Sequence, residues 1–337
     1  MKEQELRIAV IGCGAVAELA HLPAAKLVDN CRITTLVDII QGRAERLAET
    51  FGVERVAAHI NECLDYFDAA IIALPHVLHT SAAVELLSRR KPVLIEKPMA
   101  NTSDECEEII KMAAATSTIL GVGLMRRFLW AHRFTKEIMT RGILGSIESF
   151  DFKEGAIYNW PVASDFFFRK DAAGGGVLID TGAHTIDSLL DWLGDFAEVK
   201  YFDDAEGGVE ANCLLQLKMR SGATGTVELS RTRQLRNTAI IHCEHASVEV
   251  ALGGNELNLT LRGQPQVLRG VTANLNRPRE NQNYLRTIAD QLQDWVDAIN
   301  ENRHPFVTGE SAARSIRLIE TCYKARKPLV LPWAQVV

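Results

Sequence analysis

A chain of 337 residues with 47% apolar and 24% charged residues reads as an ordinary globular protein, long enough for two domains. Its formal net charge of −6 and the lack of any dense Lys/Arg run exclude a nucleic-acid partner and leave small metabolites open. Seven singly scattered cysteines with no CxxC predict reduced, packed thiols. The first apolar run is too short for a signal peptide or a membrane span, so a cytoplasmic location with no membrane partner is expected.

In chain order, the run Leu6 to Ile11 breaks into Gly12-x-Gly14-x-x-Ala17, the pattern of a buried strand entering a helix through a dinucleotide-binding turn. Gly12 permits the tight turn, Gly14 lets the backbone approach a pyrophosphate, and Ala17 allows close helix packing. Ala15 and Val16 stand at the helix N-terminus that faces the anion. A second strand, "CRITTLVDII", carries Asp38, 24 residues after Gly14, near the spacing at which a carboxylate binds a ribose diol and repels a 2′-phosphate. NAD is therefore the expected cofactor, with NADP kept open by Arg43. The rival reading makes Asp38 a cap for the next helix.

The alternation continues through the helix "AERLAETFG", the strand "DAAIIALP", the helix "HTSAAVELLSRR" and the strand "PVLIEKP". Such repeats predict an open parallel sheet that binds ligands beyond its strands' C-terminal ends. Two of those ends carry polar groups. At one, Leu74, Pro75, His76 and His79 are candidates for the nicotinamide side, with a surface position as the rival reading of both histidines. At the other, Glu96 and Lys97 follow the apolar run Val93 to Ile95 and are both expected to line the cofactor, and Pro98 favours an extended Lys97, which is also read as an active-site cation.

After the helix "DECEEIIKMAAAT" and the strand-like "ILGVGLM" the pattern changes, giving a dinucleotide-binding Rossmann domain over 1–122 and a substrate and oligomerisation domain over 123–337. "RRFLWAHRFTKEIMTRG" reads as a helix ending at Gly142. "GSIESFDFKEG", "EANCLLQLKM", "TGTVELSRT" and "NTAIIHCEHASVEVAL" alternate as strands. The expected class is α/β, a Rossmann domain followed by an α+β domain with a large, mostly antiparallel open sheet. One sheet face would be packed and the other available for subunit contact.

"GGGVLIDTGAHTID" holds the second domain's chemistry. Asp180, His184 and Asp187, spaced by 4 and 3, share one face if a helix starts near Thr181, and Gly174 to Gly176 are expected to admit a ligand close to the backbone. Oxidising a secondary alcohol needs a base for the hydroxyl proton, which suits His184. Lys97 would stabilise the developing alkoxide, and Asp180 would position substrate or support His184. The competing readings are a core His184 bonded to Asp180 or Asp187, and a helix-capping Asp180. No metal is expected: HExxH is absent, and the side chains of "HCEH" at 242–245 alternate across a strand. Near the C-terminus, "LRTIADQLQDWVDAINEN" and "GESAARSIRLIETCYKA" read as amphipathic helices, and "PLVLPW" as an edge strand. The stretch 253–284 reads as short strands with an arm or loop.

The glycine turn, "EKP" at 96–98, "GGGVLIDTGAHTID" at 174–187 and the late "LQDWVDAINENRHPFVTGESAARSIRLIE" together resemble the Gfo/Idh/MocA family of nicotinamide-dependent oxidoreductases, which includes glucose-fructose oxidoreductase and myo-inositol dehydrogenase. The resemblance covers nearly the whole chain. It implies a sugar-like substrate, a homodimer or homotetramer, substrate contact by Lys97, and the family's paired acid and histidine in Asp180 and His184. Arg127 matches an Arg-Arg-Phe found in many relatives and is taken as a substrate contact. Within "EGAIYNWPVASDFFFRKD", Tyr158, Trp160, Asp165 and Arg169 are further candidates, against a hydrophobic plug or subunit contact. So apolar a segment suits a deoxy, amino or nucleotide-linked sugar, or a compact keto compound, better than a free polyol. The competing functions are a non-enzymatic dinucleotide sensor and an enzyme of the same fold that recycles its NAD in place during elimination or hydrolysis.

Overall fold

The computed structural model describes residues 5–161, 165–263, 267–271 and 283–330. The strands are β1 (Leu6–Ile11), β2 (Cys31–Val37), β3 (Arg55–Ala57), β4 (Ala69–Ile72), β5 (Val93–Glu96), β6 (Leu120–Gly123), β7 (Ile147–Gly155), β8 (Phe196–Asp203), β9 (Asn212–Met219), β10 (Thr224–Ser230), β11 (Thr238–Cys243), β12 (Ala246–Ala251), β13 (Glu256–Leu261), β14 (Val267–Val271) and β15 (Arg326–Pro328). The helices are α1 (Leu22–Ala25), α2 (Gln41–Phe51), α3 (His79–Ser88), α4 (Ser103–Thr116), α5 (Trp130–Thr140), α6 (Lys170–Ala173), α7 (Thr181–Leu193), α8 (Tyr284–Glu301) and α9 (Gly309–Lys324).

Chain contacts divide the protein into two units, one of residues 1–125, 161–167 and 283–313, the other of 126–160, 168–282 and 314–337. This differs from a single cut after residue 122, and the reason lies in α8. Its apolar face supplies Ile288, Leu292, Trp295 and Val296 to the same core as Ile8, Val10, Leu36 and Ile71 of the first sheet. Amphipathicity announces such a helix but not which core it joins.

The first unit is built on a six-stranded parallel sheet in the order β3-β2-β1-β4-β5-β6. Strand order reverses beside β1, so the ends of β1 and β4 flank the switch point where such sheets take ligands. β4 and β5 are buried at every position, as a sheet covered on both faces requires. The helix after β1 contains a π-turn, Ala17–His21, in which the N–H of Leu22 donates to the carbonyl of Ala17. Pro23 follows directly. A proline clashes with the carbonyl four residues back, and a π-turn relieves this by widening the turn before it.

The second unit carries a nine-stranded sheet in the order β14-β13-β12-β11-β7-β10-β9-β8-β15, antiparallel except where β7 meets β10 and β8 meets β15. Alternating burial along β9 and β12 gives it one packed face. The edge strand lies at Arg326–Pro328, and the rest of "PLVLPW" after Val330 is outside the described residues, as is most of the expected arm. The helix expected to begin at Arg126 starts instead at Trp130, because Leu129 is extended (φ −65°, ψ 134°) and a 3₁₀ turn occupies Met125–Phe128.

Candidate active site

In the first unit, Gly12 has φ 97°, and a Cβ there would lie 2.5 Å from the carbonyl oxygen of Ala73. Only glycine closes this turn. A Cβ on Gly14 would meet nothing within 4 Å, so the loop's outer side is open. Ala15 and Val16 open the following helix, whose first-turn N–H groups have no helical acceptor. Asp38 is buried and braces the loop: its carboxylate accepts from the N–H of Cys13 and of Ile40, each at 2.8 Å, with Arg43 at 3.7 Å. It therefore ties the glycine turn to the end of β2 rather than capping α2. An open glycine turn, a helix N-terminus and a buried carboxylate at the neighbouring strand end fit a dinucleotide.

At the end of β5, Glu96 is buried and Lys97 half-buried, and the Lys97–Pro98 peptide is cis. One Glu96 carboxylate oxygen lies 2.8 Å from Nε2 of the fully buried His21, and the other accepts from the N–H of Lys97 at 3.1 Å. Burial opposes ionisation of Glu96, but His21 and Lys97 outweigh it and hold the carboxyl below its usual value.

The histidines near β4 correct the surface reading, since His76 is 5% and His79 0% exposed. His79 Nδ1 lies 2.8 Å from the carbonyl of Pro98 and Nε2 lies 2.9 Å from that of Leu74. Burial pushes its imidazole pKa down, and a neutral ring donates to only one of these carbonyls at a time. His79 thus braces the ends of two strands, its ring nitrogens facing the carbonyls of Leu74 and Pro98. His76 packs edge-on against Phe166 and Phe167.

In the second unit, α7 starts at Thr181, the start on which the shared face was conditional, with Asp180 at the N-cap position. Asp180 makes no capping hydrogen bond through its side chain. Its carboxylate accepts from Arg231 at 2.6 Å, both side chains being buried, and the Arg231 guanidinium lies 5.0 Å from the ring centre of Tyr158. Burial and the Asp180 charge push the Tyr158 phenol up to about 12, against the opposing pull of Arg231. His184 is half-buried one turn along α7, and its carbonyl accepts from the Ser188 hydroxyl at 3.0 Å.

Several expectations for this unit are corrected. Asp187 does not continue a functional row: it is 2% exposed and grips Arg127 through two bonds of 2.6 and 2.8 Å. Arg127, expected as a substrate contact, is thus buried and held by a carboxylate of its own unit. Gly175 and Gly176 do not open space for a ligand, since a Cβ would meet the Tyr323 hydroxyl at 2.0 Å or the Glu210 carbonyl oxygen at 2.0 Å. Glu210 accepts from the N–H groups of Gly176 and Leu178 and from the Tyr323 hydroxyl, holding the segment that delivers Asp180. Of the aromatic segment, Tyr158 and Trp160 are half-buried, while Asp165 is exposed and Arg169 pairs with Asp171 at the surface.

His21, Glu210 and Arg231 were missed by sequence reasoning. Pro23 just after an apolar helical run was a signal for His21. Arg231 lies just past the end of β10, but a lone arginine there carries no pattern.

The strand order, the open glycine turn and the polar groups at the ends of β1, β2 and β5 define a dinucleotide-binding α/β protein. Residues 6–124 match the oxidoreductase family with an NAD-binding Rossmann fold, and residues 132–249 match the GFO/IDH/MocA C-terminal domain. The chain belongs to the Gfo/Idh/MocA family, has its NAD-binding Rossmann domain, and is an NAD(P)-dependent oxidoreductase. It is 24% identical, over 97% of each chain, to dTDP-3,4-didehydro-2,6-dideoxy-alpha-D-glucose 3-reductase of Actinomadura kijaniata. It is 28% identical, over 68% of each chain, to scyllo-inositol 2-dehydrogenase (NAD(+)) of Bacillus subtilis (strain 168). Among solved structures, levoglucosan dehydrogenase in complex with NADH and levoglucosan shares the fold with a TM-score of 0.86 at 20% identity, covering 96% of this chain and 97% of that one.

Proposed function

We propose that the protein interconverts a secondary alcohol and a ketone on a sugar, cyclitol or modified sugar. Gly12, Gly14, Ala15, Val16 and Asp38 would hold NAD, which supplies the hydride acceptor, or the donor in reverse. His184 takes the hydroxyl proton during oxidation and returns it during reduction. Lys97 donates a hydrogen bond to the substrate oxygen and stabilises its developing charge. Asp180, fixed by Arg231, orients the substrate, with Tyr158 beside it. The observation that carries the reading is the setting of Asp180 at the start of α7, buried, charge-paired and one helical turn from the half-buried His184.

The relatives supply the substrate class. One acts on a dideoxy nucleotide-linked sugar and another on an inositol, which supports a ring-borne hydroxyl flanked by polar and deoxygenated carbons. The aromatic residues Tyr158, Phe166, Phe167 and Phe168 favour the deoxygenated or nucleotide-linked end of that range. The seven cysteines, all free and buried, support the cytoplasm, and no helix among the described residues is long and apolar enough to cross a membrane. The large open sheet of the second unit supports pairing of subunits into a homodimer or homotetramer, to be checked by light scattering.

The test follows nicotinamide absorbance over sugars, cyclitols, nucleotide-linked deoxysugars and small ketones, with NAD(H) and NADP(H), in the native protein, His184→Ala and Lys97→Met. The reading expects NAD-linked turnover that falls by about 10² to 10⁴ in His184→Ala. Undiminished turnover in that variant removes His184 from the chemistry. Bound cofactor with no turnover of any compound shifts the reading to a sensor or to cofactor recycled in place.

A further inference from the structure

We infer that the buried His21–Glu96 pair is a positioning device for Lys97, tying the helix of the cofactor loop to the strand end that presents this lysine. The inference rests on the reading of Lys97 as a substrate-contacting group. Glu96 is confined on three sides. His21 Nε2 lies at 2.8 Å from one oxygen, the Lys97 N–H reaches the other at 3.1 Å, and a Cβ on Gly123 of β6 would come within 3.1 Å of the first oxygen.

The π-turn places His21 for this task. In a regular α-helix each residue advances by about 100°, and one widened turn resets which side chains face inward. Here the turn ends at His21, and the ring is fully buried. A histidine among Ala17, Ala20, Leu22 and Ala24, all buried, has to be matched by a polar partner, and that partner is Glu96, 75 residues away. The carboxylate then spends its second oxygen on the backbone of Lys97. Reaching chemistry demands that a substrate-contacting side chain start from a fixed backbone, since displacement by about 1 Å costs roughly 10²-fold in rate.

The experiment compares His21→Leu and Glu96→Ala with His21→Gln and Glu96→Gln, which keep a donor and an acceptor. Hydrogen exchange of the Lys97 amide is read by nuclear magnetic resonance on the full chain, with the Val10 amide of β1 as the reference for global opening. The expected result is exchange at Lys97 at least about tenfold faster in the leucine and alanine variants, with Val10 unchanged and the two polar variants near native. On the substrate found in the screen, kcat falls about 10- to 100-fold while KM for NAD stays within about threefold. Native exchange and native kcat in both truncated variants would overturn the inference, as would a change confined to KM for NAD. Lys97→Met separates the two claims: native turnover in that variant defeats the role of Lys97 but leaves the exchange result to decide whether the pair holds its backbone.

Discussion

Asp180 and Arg231 form a buried ion pair at 2.6 Å, made between the start of α7 and the residue after β10, 51 positions apart. Breaking such a pair from one side strands the other charge in the interior. Arg231→Met is expected to lower stability by about 3–5 kcal/mol and to depress kcat. Arg231→Lys, which keeps the charge but loses the planar fork, is expected to fall between. Urea midpoints and steady-state rates check both. A stable, fully active Arg231→Met would show that Asp180 needs no partner.

Gly12→Ala is expected to damage the protein before any ligand is added. The new methyl group would lie 2.5 Å from the Ala73 carbonyl oxygen, at a φ of 97° that side chains rarely adopt. A cost of about 1–3 kcal/mol and at least about tenfold weaker NADH binding follow. Nicotinamide fluorescence titration measures the binding. Gly14→Ala, with open space around its Cβ, should spare stability and lose only cofactor affinity.

His132 gives the second unit a pH-dependent stability. Burial, reinforced by the Arg126 charge, pushes its imidazole from 6.5 down to about 3. The unfolded chain therefore binds the proton at a pH where the folded chain does not. This contribution is present above about 6.5 and is lost as the pH falls through that value toward about 3. Between about pH 7 and pH 5 it amounts to about 2 kcal/mol. His132→Gln should flatten this part of the stability curve, read from denaturation midpoints at the two pH values. An unchanged slope would place the acid sensitivity elsewhere.

Arg127→Met separates structural from substrate roles. Its loss leaves Asp187 buried, and burial already pushes that carboxyl up. A loss of about 3–5 kcal/mol is expected, with KM for the substrate unchanged in whatever protein remains folded. A large rise in KM with native stability would restore Arg127 as a substrate contact.

The parts legible in the sequence were those with a short repeat. Strands such as β4 and β5 announce themselves as unbroken apolar runs, and Gly12 and Asp38 stand at their spacing because one turn and one neighbouring strand fix both. The helix start near Thr181, on which the shared face of Asp180, His184 and Asp187 was conditional, is where α7 begins. Pairings set by the fold were not. Arg231 finds Asp180, His21 finds Glu96 and Arg127 finds Asp187 only after strands and helices have packed. The same limit misled the reading of Gly175 and Gly176, since a glycine that admits a ligand and one that admits Tyr323 or Glu210 look alike in a sequence.

The return of α8 to the first core determines how this protein can be cut. A fragment ending at residue 125 would contain every strand of the parallel sheet yet lack Ile288, Leu292, Trp295 and Val296, leaving bare the apolar surface they cover. Such a fragment should aggregate on expression, whereas grafting residues 283–313 behind it through a flexible linker would restore the missing cover. During synthesis, the nascent first unit must wait for more than half of the remaining chain to emerge before that surface can close.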